Sequence, residues 1–203
     1  MYTLDLQKEK NPEVILQKAI ACFKKRNSIA EEFKKIDAEI LHNLPHITAE
    51  SKSFFLRVDL DKIYDVCKRA EEKGIYPKIV DVFKINIEYA TLECIVRKKV
   101  YGAILSNMNI GQYPRETGKE ICELLENTVD KMHDAGIAHG DLKEDHVLIE
   151  MRENTVDRLY LFDFGEGCLK EWNRQVFEDK AKSDNMSLRQ MKESIKKRAG
   201  KEK

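Results

Sequence analysis

Apolar residues recur at helical spacing near the start of the chain. Ile15, Leu16, Ala19, Ile20 and Phe23 share one face of a helix that Asn11-Pro12-Glu13 opens, proline and an acidic residue both suiting a first turn. Ser28 and Glu31 have capping-box spacing. Ile29, Phe33, Ile36 and Ile40 then predict a second helix, blocked by Pro45, so helices are expected within 12–43. The run SFFLRVDL, Ser53 to Leu60, predicts a short buried strand, and LDKIYDVCKRAEEKG a helix closed by Gly74. KIVDVFKI and LECIVRKKVYG are rich in Ile, Val and Phe and predict two more strands. After a loop from Gly111 to Gly118, Ile121, Leu124, Leu125, Val129 and Met132 mark a helix from Glu120 to His133. HVLIE and RLYLFDF predict a hairpin across the polar turn MRENTVD, and Ser187 to Lys203 a basic helix.

The predicted fold class is α+β in two lobes, 1–101 and 102–203, joined near Gly102 with a ligand cleft between them. A chain of 203 residues can bury such a core. The 36 basic and 36 acidic residues cancel, so nothing favours nucleic acid as a partner, which needs a basic surplus. The basic runs at Lys24 and Lys196 read as solvated helix faces. Cys22, Cys67, Cys94, Cys122 and Cys168 are widely spaced with no C-x-x-C, which fits a reducing setting. No apolar run reaches the roughly 20 residues of a membrane span, and the N-terminus lacks a secretory core. A cytoplasmic protein is expected, or an effector exported by a specialised system.

The chemistry concentrates in IAHGDLKEDHVLIE and LFDFGEG. Phosphoryl transfer needs a carboxylate to orient the attacking hydroxyl, ligands for a divalent cation, and groups that hold phosphates. Asp141, in a loop after a long helix, suits the first of these roles. His146, five residues on, and Asp163 beyond the hairpin suit the second, with Gly165 allowing a sharp turn after Phe164. His42 and His46, flanking Pro45, make no metal pair, and Trp172 reads as core or docking surface.

His139-Gly140-Asp141-Leu142-Lys143, His146 and Asp163-Phe164-Gly165 resemble the catalytic and metal loops of the protein-kinase-like superfamily, H-x-D-L-x-x-x-x-N followed by D-F-G. The resemblance implies Asp141 as catalytic base, Asp163 and His146 as Mg²⁺ or Mn²⁺ ligands, and Lys143 in contact with the transferred phosphate. YGAIL, after the run Arg97-Lys98-Lys99, resembles the hinge whose backbone meets adenine, and Arg97, Lys98 and Lys99 with Arg57, Phe164 and Gly165 make the implied ATP-binding set. The H-G-D-L form resembles RIO kinases, the small kinase of the KEOPS complex, aminoglycoside phosphotransferases and lipopolysaccharide-core kinases, and the 38 residues beyond Gly165 resemble the KEOPS kinase and minimal bacterial effector kinases. FEDKA, Phe177 to Ala181, is similar to a segment of the KEOPS-associated kinase. Asp184 matches the buried aspartate that pins the catalytic loop. The resemblance spans about 120–165 strongly and 54–105 moderately, and does not reach 1–50.

The departures are specific. No glycine precedes Gly74, so a glycine-rich phosphate loop has no place, and predicted helices stand where the family has its first two strands. Arg57, with Lys52 as competitor, stands where the family's phosphate-gripping lysine belongs, and guanidinium geometry differs from ammonium. Its acidic partner is open among Asp61, Asp65, Glu71 and Glu72. His146 replaces asparagine, as some small-molecule and lipopolysaccharide kinases also have it. The expected function is an atypical Ser/Thr protein kinase with a protein substrate and a possible protein partner on the N-terminal helices. A small-molecule or glycan kinase and a nucleotide-binding pseudokinase scaffold are the alternatives.

Overall fold

Helix α1 (Pro12–Asn27) carries the predicted apolar stripe, and all five of its residues are buried. The computed structural model describes residues 12–28, 30, 32, 34–41, 44–60, 63–87, 90–153 and 155–200. They form two compact units, 1–65 with 77–99 and 66–76 with 100–203.

In the first unit the stripe of α1 packs on an antiparallel five-stranded sheet. Its order is β1 (Lys34–Leu41), β2 (Leu44–Glu50), β3 (Phe54–Leu60), β5 (Ala90–Lys98) and β4 (Ile79–Ile87). Alternation along the strands sends Leu56, Val58, Phe83, Ile85, Leu92, Cys94 and Val96 into this core. Arg26 and Asn27 close the end of α1 on Asp81, with bonds of 2.8 to 2.9 Å. Burial raises the Asp81 carboxyl, but the bonds from Arg26 and Asn27 outweigh it and hold the group below its ordinary value. Phe23 is fully buried and meets Phe54 edge to face, ring centroids 5.4 Å apart. Phe23→Ala is expected to cost about 3–5 kcal/mol, read as a lower urea midpoint.

The predicted second helix is corrected here. Lys34–Leu41 is a strand paired antiparallel with β2, Lys34 opposite Glu50 and Leu41 opposite Leu44. Ile36, Ala38 and Ile40 also alternate at period two, so the local pattern fits either structure, and cross-strand pairing decides. The sheet therefore has both of its first two strands. Pro45 lies at the hairpin end of β2 rather than ending a helix.

The division between units falls inside α2 (Ile63–Glu72), which Gly74 closes at φ 69° while Ile75 N–H returns to the Ala70 carbonyl. Residues 66–76, expected in the first lobe, belong with the second unit. The reason is specific: Leu161 N–H bonds the Ile75 carbonyl at 2.9 Å, and Tyr76 packs edge-on against Phe162 and Phe164.

The second unit holds β6 (Ala103–Ile104) beside the predicted hairpin, β8 (Val147–Arg152) and β9 (Thr155–Leu161). A small ribbon pairs β7 (Ile137–Ala138) with β10 (Cys168–Leu169). Helix α3 (Arg115–Asp134) starts earlier than predicted and takes in Gly118, where α4 (Arg174–Ala199) passes so close that a Cβ at 118 would lie 2.7 Å from that of Ala199. Helix α4 is also longer than predicted. Asn173 caps it, and Phe177, Asp184, Leu188, Met191 and Ile195 form its buried stripe. Among the described residues no helix is long and apolar enough to cross a membrane.

Candidate active site

The ribbon strand β7 delivers the chain to His139, which is fully buried. Its Nε2–H donates to the Phe162 carbonyl at 2.7 Å, and its Nδ1 accepts the Asp141 N–H at 3.3 Å. Both nitrogens are thereby committed in the neutral ring, so His139 is a frame between the two loops. Asp184, reaching in from α4 and also fully buried, accepts the N–H groups of His139 and Gly140 at 2.8 and 2.9 Å, with His133 Nε2 at 3.2 Å. Gly140 turns at φ 82°, where a side chain would strike the Glu166 carbonyl.

Beyond this frame Asp141 and Lys143 face solvent, while His146 is buried. The Asp141 carboxylate is half exposed and accepts from Lys143 Nζ at 2.8 Å. That bond raises the Lys143 ammonium above its ordinary value, so it stays charged at neutral pH. His146, on the short 3₁₀ turn Glu144–His146, donates Nδ1–H to the Asp141 carbonyl at 2.7 Å. Its Nε2 then stands 3.4 Å from Asp163 Oδ2. Arg198, from the end of α4, braces this turn by donating to Glu144 at 2.7 Å and to the carbonyls of Leu105 and Met108.

Asp163 itself occupies the left-handed region, φ 58° and ψ 58°, which the short polar side chain of aspartate tolerates. The sharp turn expected of Gly165 is made here, one residue before Phe164; Gly165 continues the 3₁₀ turn Phe164–Glu166. Phe164 is buried against His139, ring centroids 4.7 Å apart, and locks the turn into the core.

Asp141, Lys143, His146 and Asp163 thus come together in the second unit. Arg57, Arg97, Lys98 and Lys99 lie in the first. Arg57 is buried on β3, on the sheet face opposite α1. Arg97 stacks its guanidinium on Phe55 at 4.1 Å, Lys98 is exposed, and Lys99 pairs with Glu50 at 2.7 Å. Of the acidic candidates for Arg57, Asp61 lies outside the described residues and Asp65 is exposed, while Glu71 pairs with Lys68 at 2.7 Å and Glu72 lies 3.9 Å from the same lysine. Sequence reasoning missed Glu93, which is buried on the same face as Arg57 and accepts the Tyr64 N–H at 2.8 Å. Its signal was a lone charge between apolar residues of the strand Leu92 to Val96.

The donor set fits a divalent cation. An imidazole whose other nitrogen is fixed by a backbone carbonyl is the usual support for a metal-binding histidine, and His146 has it. Among the described residues no three His, Cys, Asp or Glu side chains form a complete ligand cage.

Burial lowers the His139 imidazole below its ordinary 6.5, against the opposing bond to Phe162 and the charge of Asp184. Below about pH 6.5 the unfolded chain takes up a proton that the folded one refuses, so stability is full above that pH and falls as pH drops. The slope from this residue is at most about 1.4 kcal/mol per pH unit. Urea unfolding from pH 7.5 to 5 should show the gap between the wild type and His139→Asn narrowing.

An H-G-D-L loop and a D-F-G turn joined by a hairpin, with a five-stranded antiparallel sheet and a helix between its third and fourth strands, define a protein-kinase-like fold. Within that class, residues 96–203 match the model of the lipopolysaccharide kinase (Kdo/WaaP) family. This is more than half of the chain, and the chain belongs to that family. The matched stretch contains Asp141, Lys143, His146 and Asp163. The solved structure of the Cydia pomonella Granulovirus kinase PK-1 aligns with 75% of this chain at 14% identity and a TM-score of 0.48. The chain spans 57% of that kinase. No curated protein sequence matches it.

Proposed function

We propose that this chain is an atypical kinase that uses ATP and Mg²⁺ or Mn²⁺ to phosphorylate a serine or threonine hydroxyl of a protein. The observation that carries this reading is the cluster in the second unit: a half-exposed carboxylate on Asp141, an ammonium 2.8 Å from it, and an imidazole and carboxylate 3.4 Å apart. Asp141 orients the acceptor hydroxyl and receives its proton. Lys143, held charged by Asp141, neutralises the phosphoryl group in transit. Asp163 and His146 hold the metal, which when bound draws charge from the phosphate oxygens. Arg57 is the candidate grip for the remaining phosphates, with Glu93 the acid on its face. A partner protein docking on α1 would meet its polar side, since the apolar side is spent on the sheet.

A second reading, a saccharide hydroxyl as acceptor, is favoured by the family match and by His146 in place of asparagine. One experiment separates them. The purified chain is incubated with γ-labelled ATP and Mg²⁺ or Mn²⁺, with the protein and saccharide fractions of a cell extract offered separately. Label in protein, lost in Asp163→Ala, supports the first reading. Label confined to saccharide supports the second, and a thermal shift with ATP but no transfer supports a scaffold.

A further inference from the structure

Lys180, near the start of α4, points back into the junction of the two loops. Its Nζ donates to the Glu166 carbonyl at 2.5 Å and lies 3.2 Å from the Glu166 carboxylate. Its side chain is one-quarter exposed, whereas the Glu166 side chain is 70% exposed, so the backbone carbonyl is the firmer anchor. A Cβ at Gly140 would lie 3.0 Å from both Cδ and Nζ of Lys180. The lysine therefore fills the volume that a side chain at position 140 would take. Gly140 immediately precedes Asp141, and Glu166 closes the 3₁₀ turn that begins directly after Asp163. One ammonium thus ties α4 to the loop of the metal carboxylate, passing beside Gly140 in the loop of the base, through a charge-assisted bond of the stronger kind.

We propose that Lys180 is a positioning residue: it fixes the Phe164–Glu166 turn, and through it Asp163, in the metal-binding geometry, and the bare Cα of Gly140 is what admits it. The role rests on the assignment of Asp163 and His146 as metal ligands. Glycine at 140 is already required by its positive φ and by the Glu166 carbonyl, and the space it leaves is where the lysine runs.

The test is direct Mn²⁺ titration with a non-hydrolysable ATP analogue, by calorimetry or electron paramagnetic resonance, on full-length variants. Lys180→Met keeps the aliphatic stem and is expected to weaken Mn²⁺ binding about tenfold or more, the loss usual for residues that support metal ligands. Lys180→Arg should restore most of it. Glu166→Gln should leave it unchanged, because the carbonyl remains. If Lys180→Met does not fold, Lys180→Gln, too short to reach the carbonyl, carries the same expectation. Wild-type affinity in the folded Met or Gln variant would overturn the proposal, as would an equal loss in Glu166→Gln. Absence of Mn²⁺ binding by the wild type, or undiminished binding by Asp163→Ala, would remove the metal assignment and this role with it.

Discussion

Asp141→Asn is expected to reduce phosphoryl transfer about 10²- to 10⁴-fold, the range a positioned general base supplies. The substitution preserves shape, and the amide oxygen can still accept from Lys143, whose Nζ lies 2.8 Å from the native carboxylate. What is lost is the capacity to take a proton and the charge that orients a hydroxyl. The pair is about half exposed on both sides, so its contribution to stability is small and the melting temperature should hardly move. The prediction is therefore a split: activity collapses while the fold persists. Transfer within a few-fold of wild type in Asp141→Asn would remove Asp141 from the reaction, whichever acceptor is labelled.

Asp184→Ala should do the reverse, acting on the fold first. The carboxylate is 1% exposed and satisfies the backbone N–H groups of His139 and Gly140, with His133 beside it. Alanine leaves two backbone donors without their acceptor, and each unsatisfied buried group costs about 1–3 kcal/mol. Losing two such partners together costs a large fraction of the total stability of a typical domain. Asp184→Asn retains one acceptor but turns an amide N–H toward the other donor, so it should recover only part of the loss. Urea unfolding with an unchanged m-value and a much lower midpoint is the expected result. A midpoint close to wild type in Asp184→Ala would show that the catalytic loop is held by something else.

Several site features were legible in the chain because their determinants are local. Asp141, Lys143 and His146 lie within six consecutive residues, and the polar turn between Val147 and Leu161 folds the hairpin that brings Asp163 back to His146. Other features were illegible because their determinants are distant. Glu93 and Arg57 share a face only through the register of β3 against β5, and Lys180 meets Gly140 only because α4 returns across the loop. A sharp turn was expected at Gly165, yet the left-handed residue is Asp163, with Phe164 beside it packed against His139 and Tyr76.

By itself the sequence determined the stripe of α1, the closure of α2 at Gly74, the β8–β9 hairpin and the order of reactive side chains along the two loops. Each depends on spacing within a few residues, which the chain carries wherever it folds. Only the tertiary structure decided that Lys34–Leu41 is a strand, since Ile36 and Ile40 fit a helical step of four as well as alternation with Ala38, and pairing with β2 settles which is adopted. It alone placed Lys180 behind the catalytic loop, because a close contact between residues 40 positions apart leaves no periodic trace in the residues between, and Asp184 was expected there only from the family resemblance.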